Sequence, residues 1–272
     1  MHALKAICFV MLLAIPSFAP LSVQAQESAR TEYISVQYEM LTDGLEHPWS
    51  FAFLPDGSVL VTERGGELKQ IQPDGTVLTI EGTPEVNAFN QGGLLEILPH
   101  PKFEDNRLLY MTFSKPGPSG SGNTATALAR GLFVNGEIIA LEEIFVQDRY
   151  SSPGRHYGSK LAWMPDGTLL MSIGDRGTTP PRAQDLADHA GKLLRLTELG
   201  EPAEDNPFFG QEGAKPEIYS YGNRNIQGLY VNPQTGAIWA TEHGPRGGDE
   251  LNLIGAGNNY GWPIVSLGRD YR

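Results

Sequence analysis

Residues 49–68 read WSFAFLPDGSVLVTERGGEL, and residues 159–177 read SKLAWMPDGTLLMSIGDRG. Both run from an apolar segment through Pro-Asp-Gly into a second apolar segment, and both end on an acid beside glycine. Pro55 and Pro165 suit the first corner of a tight turn, and Gly57 and Gly167 supply the positive φ that such a turn demands. Residues 227–245, QGLYVNPQTGAIWATEHGP, repeat the pattern around Pro-Gln-Thr-Gly. A weaker copy, EILPHPKFEDNRLLYMTFS at 96–114, carries a longer insertion between its apolar halves.

Strand-turn-strand units that recur through a chain without amphipathic helices predict an all-β fold. Their similarity favours a β-propeller of four-stranded blades over a two-sheet sandwich. In a propeller the inner strands carry polar residues toward one channel mouth, so functional groups gather there. A blade takes about 40–50 residues, so residues 26–272 hold roughly five. The chain stops at GRDYR with no closing strand pattern. The sequence therefore predicts one propeller domain over 26–272 that is C-terminally incomplete. No low-complexity linker divides it.

The first 25 residues have the pattern of a secretory leader. Lys5 supplies the positive start, Ala6–Ile15 an apolar run, and Val23-Gln24-Ala25 a small-x-small cleavage site. The apolar run is shorter than the roughly 20 residues that span a bilayer. Cleavage is expected, rather than an uncleaved anchor, and places the protein in the periplasm or outside the cell. The one cysteine, Cys8, lies in this leader, so no disulfide or thiolate metal site is expected after it. The formal charge is −12; removing one lysine and no acid with the leader makes it −13. No basic run is present, which argues against a nucleic-acid partner. The acidity suits solubility, and equally suits neutral or cationic ligands such as calcium.

Four polar segments exceed what strand-and-turn grammar requires. Gln91 precedes Gly92-Gly93, a pair that marks either a turn or a close approach of backbone or ligand. His156 stands in GRHYG before a strand and is either a general base or a structural histidine. Arg224, Asn225 and Gln227 form a dense cluster before another strand; an arginine fork with amides suits a carboxylate or an oxyanion. Glu242, Asp249 and Glu250 supply hard oxygen donors in a glycine-rich stretch that leaves backbone carbonyls available. That chemistry suits calcium, without the spacing of an EF-hand.

Taken in order, GRHYG, GNRNIQGL, EHGPRGGDELN and NYGWP resemble the PQQ-dependent glucose/sorbosone dehydrogenases, which include soluble aldose sugar dehydrogenases. The resemblance runs from Leu45-Glu46-His47-Pro48-Trp49 to the C-terminus. It implies a six-bladed propeller with pyrroloquinoline quinone (PQQ) over the channel mouth. It implies His156 as the base on the anomeric hydroxyl and Arg224 as the cation beside PQQ and the developing negative oxygen. Gln91, Asn225, Gln227 and Tyr271 are further implied PQQ contacts. Gly244 and Pro245 are the implied carbonyl ligands of a calcium ion on PQQ, and Glu250 and Tyr260, the latter through its carbonyl, those of a second calcium site. The family's later lysine and arginines, which bind the carboxylates of PQQ, have no counterpart in this sequence.

The resemblance implies a periplasmic enzyme oxidising aldoses to lactones, acting as a monomer or homodimer with an unidentified electron acceptor and no membrane span after cleavage. A non-catalytic calcium- or sugar-binding propeller is the alternative. A calcium lactonase ranks below both, because only one acidic cluster is present.

Overall fold

The turn-bounded apolar segments form antiparallel strands in a computed structural model that describes residues 27–30, 32–118, 121–152, 154–178, 182–269 and 271. The leader expected over residues 1–25 lies outside the described residues. The chain divides between Leu41 and Thr42 into two compact units. In the first, β1 (Glu27–Arg30) pairs with β2 (Ser35–Tyr38), with Glu27 opposite Tyr38.

The second unit holds four sheets, each a meander of strands in chain order. The first contains β3 (Pro48–Phe53), β4 (Val59–Glu63), β5 (Leu68–Ile71) and β6 (Val77–Ile80). The second contains β7 (Leu94–Pro99), β8 (Leu108–Pro116), β9 (Thr124–Val134) and β10 (Glu137–Val146); a helical turn, α1 (Phe103–Asn106), fills the insertion between β7 and β8. The third contains β11 (Leu161–Trp163), β12 (Leu169–Ile173), β13 (Lys192–Leu196) and β14 (Ile218–Tyr221). The fourth contains β15 (Ile226–Val231), β16 (Ile238–Glu242) and β17 (Glu250–Ile254). These are four blades of a β-propeller, the fold class that the repeated hairpins predict.

The hairpin repeat has a common mechanism. Gly57 and Gly167 close their turns at φ 82° and 85°. Asp56 Oδ1 accepts the Ser58 N–H at 2.9 Å and the Ser58 hydroxyl at 2.6 Å, and Asp166 does the same for Thr168 at 2.9 and 2.6 Å. Aspartate thus caps its own turn and fixes the hairpin register.

Side-chain alternation then stacks the blades. Met111 of β8 packs toward the first blade, with Leu60, Leu68 and Ile80, while its neighbour Tyr110 packs toward the third, with Leu169, Met171 and Leu194. Leu170 in turn faces the fourth blade, with Ile226, Ile238 and Ala240. The middle strands β12 and β13 are buried along their whole length because both faces meet another sheet, while β4 packs one face on the second blade and covers the other, Val59 and Val61, with Ile71 and Leu45. Each such leucine contributes about 1.5–3 kcal/mol of burial.

A second repeat lies closer to the axis. A hydroxyl on the second strand of each of the first three blades donates to a backbone carbonyl at the first strand of the next. Thr62 reaches Leu95 O at 2.6 Å, Thr112 reaches Ser159 O at 2.8 Å, and Ser172 reaches Ile226 O at 3.4 Å. First strands of successive blades also touch one another. Gln91, His156 and Arg224 each precede such a first strand, so the fold delivers all three to the same end of it.

Candidate functional site

His156 is held from behind before anything faces it in front. Its φ is 53°, in the left-handed region where histidine is more tolerated than most residues. Its N–H donates to Gln91 Oε1 at 2.8 Å. Its carbonyl lies against Gly174 so closely that a Cβ there would land on the oxygen. Asn225 Oδ1 accepts the Gly158 N–H at 3.1 Å, and Gln227 Nε2 donates to Gly158 O and to Asn225 Oδ1, each at 3.2 Å. Arg176, fully buried, donates to Arg155 O and lies 3.6 Å above the Tyr157 ring centre. Residues 155–158 are therefore a preformed loop.

In front, the imidazole meets two groups of opposite charge. Nδ1 is 2.6 Å from Asp175 Oδ1, and Nε2 is 3.4 Å from Arg224 Nη2. An ionised carboxylate only accepts and a guanidinium only donates, so the proton belongs on Nδ1 and the lone pair on Nε2. Asp175 also accepts the Gly177 N–H on Oδ1 at 2.7 Å and the Trp262 indole N–H on Oδ2 at 2.7 Å. Burial alone would raise the Asp175 carboxyl. The His156 hydrogen bond outweighs it, with help from Gly177 and Trp262, and holds Asp175 below the usual carboxylate range.

Arg224 is fixed as firmly. Its Nη1 donates to His243 O at 2.9 Å, its guanidinium lies 5.4 Å from the Trp262 ring centre, and its N–H donates to the Glu242 carboxylate. Asn223 Nδ2 supports the same carboxylate at 2.8 Å. Burial pushes Glu242 up to about 7, and the Glu250 charge adds to the rise against these donors.

These groups open into a cavity of about 380 Å³ lined by Gln91, Arg155, His156, Asp175, Gly177, Thr178, Arg224, Pro245, Trp262 and Tyr271. The structure thus gathers five of the residues singled out in the sequence: Gln91, His156, Arg224, Pro245 and Tyr271. Asn225 and Gln227 sit one layer behind, bound to the His156 loop. Glu250 and Tyr260 lie away from the lining; Glu250 Oε2 accepts from Asn252 Nδ2 at 3.0 Å, and the Tyr260 hydroxyl donates to Leu253 O at 2.8 Å.

Asp175 and Trp262 were not among the residues that stood out in the sequence. A signal for Asp175 was present, because each clear hairpin copy ends on an acid. Glu63, Asp175 and Glu242 occupy those ends and all three are buried. Trp262 carried no comparable mark.

The cavity suits an anionic ligand. Arg155 and Arg224 line it, and Arg224 Nε is buried with no hydrogen-bond partner among the described residues. For a cation the relevant donors are carbonyls. The oxygens of Pro245, Gly247 and Gly248 crowd around Gly244 and Gly268, positions where a side chain would collide with them. No cluster of three or more His, Cys, Asp or Glu that could hold a metal occurs among the described residues. An ion at this corner would therefore rest on backbone oxygens.

Fold and site together define a β-propeller with a histidine–aspartate pair and an arginine at one end of its first strands. Residues 45–272 match the glucose/sorbosone dehydrogenase family, and the chain belongs to it. It is 42% identical over 239 residues to the aldose sugar dehydrogenase YliI of Escherichia coli, covering 87% of this chain and 64% of that protein. It is 30% identical over 286 residues to quinoprotein glucose dehydrogenase B of Acinetobacter calcoaceticus, covering 96% of this chain and 59% of that one. The PQQ-bound aldose sugar dehydrogenase of Streptomyces coelicolor superposes with a TM-score of 0.71 at 32% identity, over 85% of this chain and 69% of that one. The chain thus spans about three-fifths of the length of these two sequence relatives.

Proposed function

We propose that the protein is a PQQ- and calcium-dependent dehydrogenase that oxidises the anomeric hydroxyl of aldose sugars to a lactone. One observation carries this reading: His156 is tied through Nδ1 to a buried, ionised Asp175 and presents an Nε2 lone pair to a cavity that also holds Arg224. That is the arrangement of a general base beside a fixed cation. The PQQ-bound form of the Streptomyces relative supports the cofactor.

His156 Nε2 takes the proton of the anomeric hydroxyl. Asp175 keeps the ring in the reactive tautomer and stabilises the imidazolium that forms. Arg224 lowers the energy of negative charge developing on oxygen. When bound, PQQ would supply the two-electron acceptor for the hydride lost from the anomeric carbon. Gln91, Arg155, Arg224 and Tyr271 would line that cofactor, with Asn225 and Gln227 holding the loop beneath it. Gly244 and Pro245 would hold a calcium ion through their carbonyls, for Lewis-acid polarisation of the quinone. Glu250 and Tyr260 would hold a second, structural ion. The leader pattern over residues 1–25 supports a periplasmic or secreted location, and no helix among the described residues is long and apolar enough to cross a membrane.

The test is reconstitution with PQQ and calcium, followed by dye reduction with a panel of aldoses. PQQ-dependent reduction is expected, and its absence from folded protein with every sugar would defeat the proposal. His156→Ala should abolish turnover while PQQ binding, followed by fluorescence quenching, persists. Undiminished turnover would remove His156 from the mechanism.

A further inference from the structure

Asp175 orients His156, and three donors converge on it. Two of them, the His156 ring and the Gly177 N–H, meet Oδ1. The third, the Trp262 indole N–H, donates to Oδ2 at 2.7 Å. Rotation about Cβ–Cγ carries both oxygens together, so a donor on Oδ2 resists the same motion as the two donors on Oδ1. The Trp262 N–H therefore helps to keep the lone pair aimed at Nδ1–H in line.

Trp262 is itself seated by the third blade. Its N–H donates to Gly222 O at 2.8 Å, two residues before Arg224. Its carbonyl accepts from Gln184 Nε2 at 2.7 Å. Gln184 also exchanges two hydrogen bonds with Asn259, Nε2 to Oδ1 at 3.0 Å and Nδ2 to Oε1 at 2.7 Å. The Trp262 ring in turn lies 5.4 Å from the Arg224 guanidinium. One indole thus touches the partners of both imidazole nitrogens.

We propose that Trp262 is a positioning residue for His156, acting through Asp175, and that Gln184 sets the position of Trp262. The catalytic meaning of this rests on the dehydrogenase reading; the geometry does not. The chain is the same with or without turnover, so the two are separable.

The experiment uses the full chain, ¹⁵N-labelled, without cofactor. Wild-type His156 should show a proton on Nδ1, resonating at low field and slow to exchange, with Nε2 unprotonated. Trp262→Phe keeps an aromatic ring and removes the donor. It should move the Nδ1–H signal upfield and speed its exchange, while Tyr271→Phe, which changes the cavity wall without touching Asp175, should leave the signal in place. Gln184→Leu should produce the same change in smaller degree and serves if Trp262→Phe does not fold. An unaltered Nδ1–H signal in a folded Trp262→Phe or Gln184→Leu variant overturns the proposal, as does an equal change in Tyr271→Phe. In the reconstituted enzyme, losing a hydrogen bond to a charged group should lower kcat about tenfold with KM little changed. Absent wild-type turnover with the spectroscopic change intact would refute the dehydrogenase reading and leave the positioning role standing.

Discussion

Asp175→Asn is the sharpest test of the site, because the three donors on Asp175 make its outcome calculable. An asparagine offers one accepting oxygen and one donating NH₂ where aspartate offers two acceptors. If its oxygen takes the Oδ1 position, the NH₂ confronts the Trp262 indole N–H, donor against donor. If the oxygen faces Trp262, the NH₂ confronts both the Gly177 N–H and His156 Nδ1, and the ring must shift its proton to Nε2. Either placement strands a buried donor, which costs about 1–3 kcal/mol of stability. The second also leaves no lone pair facing the cavity. In serine-protease triads the same change lowers turnover by about 10⁴-fold through the wrong tautomer, or about 5 kcal/mol in barrier. We therefore expect kcat to fall by about 10²- to 10⁴-fold, according to which placement prevails. Dye reduction under PQQ and calcium saturation measures it, and the ¹⁵N shifts of the imidazole report the tautomer. Retention of kcat within about tenfold, in a variant whose His156 carries its proton on Nε2, would refute the assignment of Nε2 as the base.

Two other consequences are measurable. Gly174→Ala places a methyl on the His156 carbonyl, so the loop must move; it should lower the melting midpoint by an amount corresponding to about 1–3 kcal/mol and lower kcat more than it raises KM. A melting curve and rate unchanged from wild type would show that the loop has slack. The buried His189, between Asp148 at 3.1 Å and Glu217 at 3.2 Å, should give stability a pH optimum. Burial works against the imidazolium, but the two carboxylates outweigh it and raise His189, while both carboxylates are lowered. The histidine's contribution is full below about 6.5 and is lost as pH rises through the raised value; those of Asp148 and Glu217 are present above about 4.3 and lost as pH falls. Melting temperature should therefore peak between these limits, and His189→Gln should flatten the alkaline side. A wild-type profile level from pH 5 to 9 would contradict it.

Much of the site was visible as residue types in unusual places. His156 and Arg224 stood out as polar groups directly before strand patterns, and Gln91 by its double glycine. The glycines serve a different purpose from ligand approach: a Cβ at residue 93 would meet the Arg64 carbonyl, while Gln91 itself reaches the His156 backbone. Asn225 and Gln227 stood out because their amides sit beside Arg224 in the chain. Both amides also reach Gly158, a contact the sequence does not announce. Glu250 and Tyr260, prominent in the motif, lie outside the cavity. Asp175 was obscured because a buried acid after a hairpin reads as ordinary turn chemistry.

The sequence by itself determined the all-β class, the Pro-Asp-Gly hairpins with their register, and the family. Each of those depends on neighbours a few residues apart, where turn geometry and side-chain alternation act locally. Only the tertiary structure decided that Gln91, His156, Asp175, Arg224 and Trp262 share one cavity, and that Nε2 of His156 carries the lone pair. Those residues come from three blades and from the segment after β17. Blade packing brings them together, and a tautomer is set by which donor and which acceptor finally face each nitrogen.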